Sequence, residues 1–152
     1  MTSLTEALPS GLAPSEAIAL GREQGALVGI PHPFDRSRRS LLRDPANAVL
    51  VPLVDWIEAR NGRVAYREAD EAADVLARRS GIPAIGTSDA HTLLEVGTMF
   101  TTMLGDPSTA EGLLAALRGP LSIHVPDQDD APATRRGIRL LPARWVRRSW
   151  RR

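Results

Sequence analysis

The chain has 152 residues, 43% of them apolar and 24% charged. That is the composition of one ordinary globular domain, long enough to bury roughly 70% of its unfolded surface. The absence of Cys excludes disulfides, thiolate metal sites and cysteine nucleophiles. No run approaches about 18 uncharged apolar residues, so no membrane span is expected; the first residues lack the basic start and apolar core of a signal peptide, which points to the cytoplasm.

The pattern opens with a helix at Ala13-Pro14-Ser15-Glu16, where Pro fits the first turn and Glu complements the helix dipole. Ala17, Ile18, Leu20 and Gly21 form its packed stripe and Gly25 ends it. Ala26 to Ile30 is a continuous apolar run, the signature of a strand buried on both faces. Pro31 and Pro33 forbid further ladder pairing, which leaves His32 just past the strand end. A polar, Arg-rich loop over 34–43 holds Asp35, Arg36, Arg38 and Arg39. A helix is expected over 45–54, then a strand over 55–59 closed by Asn61-Gly62.

Residues 64–79 carry apolar positions at helical spacing, with Gly81 as the stop. A third strand over 83–86 delivers Ser88, Asp89 and His91 to a loop. A fourth strand over 96–103, a helix over 108–117 capped near Asp106 or Ser108, and a strand over 121–125 complete the pattern. Residues 126–134 read as a polar linker. The domain plan is thus an N-terminal extension (1–12), an α/β domain (13–125), and a linker with a basic tail (126–152).

The alternation of helices and strands implies an α/β layer, or part of a barrel with a mainly parallel sheet. Ligands in such folds collect at the carboxyl ends of strands. His32, Glu58, Asp89 and His91 all fall at or just after predicted strand ends. Neutral imidazole and ionised carboxylate are the donors of borderline-to-hard divalent metals, which suggests a metal site. Each residue also has a plainer role: Asp89 as a turn cap, His91 on the surface, His32 in a rigid turn, Glu58 on a strand edge. Glu58 lies beside Trp56 and Ile57, and a buried Glu needs a cation. Glu95 caps or supports the Asp89–His91 loop, and His124 is read as structural.

Arg36, Arg38 and Arg39 form a solvated loop or grip phosphate oxygens, for which the guanidinium fork is suited. The net charge of +1 conceals an asymmetry: residues 135–152 carry eight Arg and no acid, leaving 11 Arg against 18 acids, a net charge of −7, in residues 1–134. The tail reads as a terminal helix packing Ile138, Leu141 and Trp145 on the domain, as a phosphate-backbone contact, or as a membrane-surface contact aided by Trp145 and Trp150.

Three ordered segments carry a resemblance. They are Gly25 to Asp35 with Pro31-His32-Pro33, Asp55 to Arg63 with Ile57-Glu58-Ala59-Arg60-Asn61, and Gly81 to His91 with Ser88-Asp89-Ala90-His91, followed by Glu95-Val96-Gly97. They resemble the His-Pro, "iEv-N" and Ser-Asp-x-His motifs of the PHP (polymerase and histidinol phosphatase) family, particularly its bacterial phosphoesterases. The resemblance runs from about Leu12 to about Leu117.

It implies a distorted seven-stranded β/α (TIM-like) barrel, of which this chain supplies an incomplete C-terminal part. It implies His32, Asp89 and His91 as metal ligands, Glu58 and Glu95 as further ligands or supports, and Arg36 or Arg38 as the phosphate clamp. The implied cofactors are divalent ions (Mn, Fe or Zn), up to three in the intact family and fewer here. The implied activity is metal-assisted hydrolysis of a phosphate ester, of phosphatase or 5′→3′ exonuclease type. Substrates would be a small phosphate ester or a nucleic-acid end.

The family's opening His-x-His strand and its further ligands are not represented in this sequence, so the expectation is an N-terminal truncation. A misplaced gene start, a degenerate fragment, or a site completed by a partner chain would each account for it. Two other functions stand beside the enzyme: an inactive remnant serving as a binding or scaffold module, and a nucleic-acid-associated protein acting through the Arg tail. Open sheet edges predict self-association.

Overall fold

The computed structural model describes residues 3–125. The expected linker over 126–134 and the Arg-rich tail lie outside the described residues. The first helix, α1, spans Pro14–Glu23. Ala13 cannot cap it with a side chain, so Glu16 reaches back and its Oε2 accepts the Ala13 N–H at 2.9 Å. The extension before it is tied to its far end, because Gln24 Oε1 accepts the N–H groups of Thr5 at 3.0 Å and Glu6 at 2.9 Å.

Three strands form a parallel sheet in sequence order: β1 (Gly29–Ile30), β2 (Trp56–Asn61) and β3 (Ala84–Thr87). Gly29 pairs with Trp56 and Ile30 with Ile57, while Ile57 pairs with Ala84. Within the expected strand over 26–30, Gly29 and Ile30 pair with β2, and Leu27 forms an isolated bridge. Between them the chain is held by a side chain, since Asp55 Oδ2 accepts the Val28 N–H at 2.7 Å.

The expected helix over 45–54 is a 3-10 segment, Pro45–Leu53. Pro52 lies inside it and lacks the backbone N–H that a helical turn of either kind would use. The crossover from β2 to β3 is α2 (Arg67–Ser80). Its contact face is made of Ala73 and Ala77, both 1% exposed, whose small side chains let the helix approach the sheet closely. Gly81 ends α2 in the left-handed conformation at φ +64°, as a C-terminal glycine does.

The last part departs from the expected parallel order. β4 (Phe100–Met103) and β5 (Leu121–His124) make a separate antiparallel pair, with α3 (Ala110–Leu117) between them in sequence. β4 starts later than the expected position 96, because Leu93–Glu95 is a 3-10 turn and Gly97 has φ +75°. Thr109 is the cap of α3, its Oγ1 accepting the Gly112 N–H at 3.0 Å. Asp106, expected as a cap, instead closes the preceding turn on the Ser108 N–H at 2.9 Å.

The architecture is mixed α/β. Among the described residues the strands do not close into a barrel, for three parallel strands and a separate pair fall short of the roughly eight that small barrels use. The core lies between α1, the 3-10 segment, α2 and one face of the sheet, with Ile18, Val28, Ile30, Leu50, Val51, Val54 and Ile57 at its centre. No helix among the described residues is long and apolar enough to cross a membrane.

Candidate functional site at the strand ends

The parallel sheet brings three chain segments side by side at its carboxyl end. β1 delivers His32, β2 delivers Glu58 and Asn61, and the turn after β3 delivers Asp89. Pro31 and Pro33 force the chain off the sheet immediately after Ile30. His32 takes a left-handed backbone, φ +30°. Its N–H donates to Glu58 Oε2 at 2.6 Å, and its ring Nδ1 lies 3.1 Å from the Ser40 hydroxyl.

Glu58 is buried, 5% exposed, and joins all three strands. It accepts the His32 N–H, the Asn61 side-chain amide at 2.9 Å, and the Thr87 hydroxyl. The register of β2 against β3 shifts between Glu58 and Arg60. That irregularity accompanies a direct side-chain contact between Glu58 and Asn61, three residues apart in one strand.

Asn61 is 1% exposed, and its amide bridges two carboxylates, reaching Asp89 Oδ2 at 3.3 Å as well as Glu58. Its Oδ1 accepts the Arg63 N–H at 2.8 Å. Only this amide orientation serves all three contacts, because two face acceptors and one faces a donor. Next to it the chains nearly touch: a Cβ on Gly62 would lie 2.6 Å from the Ser88 carbonyl oxygen.

Asp89 also has a left-handed backbone, φ +49°. Burial pushes its carboxyl pKa up. The hydrogen bond and charge of Arg38, the Asn61 amide and the nearby His91 more than offset this, so the pKa lies below the ordinary value. Arg38 is an ion-pair partner of Asp89 and of Asp35, whose Oδ2 lies 3.2 Å from Arg38 Nε. Asp35 is fully buried, with Oδ1 accepting both the N–H and the hydroxyl of Ser37.

His91 is the outermost member, its side chain 62% exposed. Its Nδ1 sits 2.8 Å from the Asp89 carbonyl. Its backbone is anchored by Glu95, which accepts the N–H groups of His91 at 2.7 Å and Thr92 at 3.0 Å. The His91 N–H, ahead of the opposing effect of burial and helped by Arg63 and Thr92, holds the Glu95 carboxyl below its usual range. Arg63 grips both Glu95 oxygens, at 2.9 and 3.1 Å.

The sequence candidates therefore fall into two groups. His32, Glu58, Asp89 and Arg38 share one network, and His91 and Glu95 form its rim. Arg36 is exposed, and its carbonyl accepts a hydrogen bond from Arg43. His124 stacks on Phe100 in the β4–β5 pair, with ring centroids 4.3 Å apart, in keeping with a structural role. Sequence reasoning missed Asp35, Asn61, Arg63 and Thr87. Asn61 carried a signal in its place at the end of a buried strand, where a turn residue was the simpler reading.

The donor chemistry here suits a divalent metal, but the arrangement does not complete a site. Among the described residues no group of three or more His, Asp or Glu could hold an ion. Glu58 is taken up by three hydrogen bonds, and Asp89 by Arg38 and Asn61. The residues present do not by themselves fit the metal centre that the resemblance implies.

Three similarities to known proteins bear on this site. Residues 67–119 match the family described as PHP-associated. An uncharacterized protein of Methanocaldococcus jannaschii is 35% identical over 100 residues, which is 64% of this chain and 42% of that protein. A crystal structure from Bacteroides vulgatus, a two-domain protein containing a predicted PHP-like metal-dependent phosphoesterase, superposes with a TM-score of 0.61 at 20% identity. That match covers 80% of this chain and 38% of the other. The chain thus spans about two fifths of the length of each.

Proposed function

The chain belongs to the PHP family, and from that premise we propose that it supplies one part of the active centre of a metal-dependent phosphoesterase. The observation that carries this reading is the convergence of His32, Glu58 and Asp89 at the carboxyl ends of three adjacent parallel strands. Two of the three have left-handed backbones, which is the kind of local strain that collects at functional positions.

In this proposal His32, Asp89 and His91 are the metal donors of this chain. Glu58 and Glu95 hold them in place, and Arg36 meets the substrate phosphate. Residues 13–125 form the PHP-like unit, a portion of a distorted β/α barrel. Further donors come from outside the described residues. The substrate class is a phosphate ester, a small molecule or a nucleic-acid end, and the ion is Mn, Fe or Zn. The Bacteroides vulgatus neighbour supports the reading by its fold.

The test is elemental analysis of the purified chain after Mn loading, with His91→Ala and Asp89→Asn alongside, followed by hydrolysis of p-nitrophenyl phosphate. Bound Mn that drops in both variants supports the ligand assignment. Equal Mn content in all three proteins refutes it. A second reading, a non-catalytic binding module, is favoured by one observation: Arg38 already neutralises Asp89. It predicts no hydrolysis at any Mn concentration.

A further inference from the structure

Both members of the Asn61-Gly62 pair are imposed by the fold. Position 62 admits no side chain, since a Cβ there would lie 2.6 Å from the Ser88 carbonyl oxygen, where the chains leaving β2 and β3 pass each other. Position 61 needs an amide, since its Nδ2 donates to Glu58 at 2.9 Å and to Asp89 at 3.3 Å while its Oδ1 accepts the Arg63 N–H at 2.8 Å. An asparagine followed by glycine is open to attack on its side-chain amide carbon by the next backbone nitrogen, because no side chain shields that nitrogen and glycine torsions let it approach. The folded chain blocks the attack in three ways. The Gly62 N–H is committed to the Thr87 carbonyl at 2.8 Å. The Asn61 amide is held by its three hydrogen bonds and is not free to swing toward the Gly62 nitrogen. Asn61 is also buried, which keeps water and base away from it.

We propose that Asn61 is a spontaneous deamidation site, closed in the folded protein and opened when the end of β2 separates from β3. In the opened chain the Gly62 nitrogen loses its proton to solvent base and bonds to Asn61 Cγ. The Cγ–Nδ2 bond breaks, and the amide nitrogen takes up a proton and leaves as ammonia. The cyclic imide that remains adds one water. Opening at Cγ gives aspartate; opening at the Asn61 backbone carbonyl carbon gives isoaspartate, whose main chain runs through Cβ. Water is the only co-reactant. Either product puts a carboxylate where the amide bridged Glu58 and Asp89, and isoaspartate lengthens a strand whose register against β3 is already irregular. A single opening of the strand end is thereby recorded as a covalent loss of the network. The reaction needs no metal and no phosphate ester, so it stands or falls apart from the phosphoesterase reading.

The experiment incubates the full chain in mildly alkaline buffer across a urea series and follows conversion at each asparagine by peptide mapping and mass spectrometry. The sequence supplies an internal reference, Asn47, which is followed by Ala48. In urea above the unfolding transition Asn61 should convert about tenfold faster than Asn47. Through the transition its rate should track the unfolded fraction, and in buffer without urea it should fall at least about a hundredfold. Gly62→Ala, compared with wild type in full urea where folding plays no part, should slow Asn61 about tenfold. Converted chain returned to buffer should unfold at a lower urea concentration than unconverted chain. Equal rates with and without urea overturn the protection by the fold. An Asn61 rate no faster than that of Asn47 in urea, or unchanged by Gly62→Ala, overturns the Gly62 nitrogen as the attacking atom. Full recovery of the unfolding midpoint by converted chain overturns the loss of the network.

Discussion

Asn61→Asp is the substitution that reads the strand-end network most directly. It preserves shape and exchanges one amide for a carboxylate. The Oδ1 contact with the Arg63 N–H survives, so the new oxygen replaces the amide nitrogen that lies 2.9 Å from Glu58 and 3.3 Å from Asp89. At those distances, with an effective dielectric of about 20, the two repulsions amount to about 6 and about 5 kcal/mol. The protein avoids this by keeping one proton. Holding an aspartate of ordinary pKa, about 3.9, protonated at pH 7 costs about 4 kcal/mol, which caps the electrostatic penalty. The single O–H can satisfy only one of the two carboxylates, which adds about 1 kcal/mol for the lost hydrogen bond.

The sign follows from linkage. The folded pKa is raised above the unfolded one, so the penalty is absent below about pH 4 and grows by about 1.4 kcal/mol per unit as pH rises. Urea unfolding of wild type and Asn61→Asp at pH 7 and pH 5 should give losses of about 5 and about 2.5 kcal/mol. A loss that does not change between the two pH values would refute the two-carboxylate bridge.

Three further outcomes are expected. Ile57→Ala, at a position 0% exposed in the middle of the sheet, should cost about 2–5 kcal/mol in chemical denaturation, and a loss under 1 would mean that the site is not in the core. Gly62→Ala drives a methyl against the Ser88 carbonyl oxygen at 2.6 Å, where backbone must move, so about 1–3 kcal/mol should be lost in thermal melting. Asp89 and Glu95 both have folded pKa values below their ordinary ones, so their stabilisation is present above about pH 4 and fades as pH falls further. Glu95→Gln should therefore flatten the decline in unfolding free energy between pH 5 and pH 3; an unchanged slope would show that Glu95 is not a source of it.

The parallel sheet was legible because its signals are local. Ala26 to Ile30 is a buried run stopped by prolines, α2 has a clear small-residue face closed by Gly81, and His32, Glu58 and Asp89 fall at strand ends by simple counting. What escaped was set by contacts between segments. The antiparallel pairing of β4 with β5 depends on how the chain returns after α3, which periodicity does not encode. Asn61 looked like a turn residue because its partners, Glu58 and Asp89, meet it through the shifted register of β2 and the approach of β3. Arg38 looked like a solvent-facing phosphate clamp, because nothing in the Arg-rich loop announces that Asp35 is buried beneath it.

The placement of strain separates stability from function in this cluster. His32 and Asp89 both occupy backbone conformations in which glycine is at ease and other residues cost of order 1 kcal/mol. Folding alone would favour Gly or Asn at both. Yet Gly81 and Gly97, which occupy the same region of conformational space, sit at a helix end and a turn with no ionisable work to do. Asp89 turns its carboxylate into the shared network, whereas His32 enters it through its backbone N–H, with its ring beside the Ser40 hydroxyl. In both cases the twist accompanies a polar contact: it directs the His32 N–H onto Glu58, and the Asp89 carboxylate lies against Asn61 and Arg38. The two left-handed positions thus set the approach of the first and third strand ends to Glu58 and Asn61, and backbone strain of this kind is one reason to probe the carboxyl end of the sheet as the candidate site.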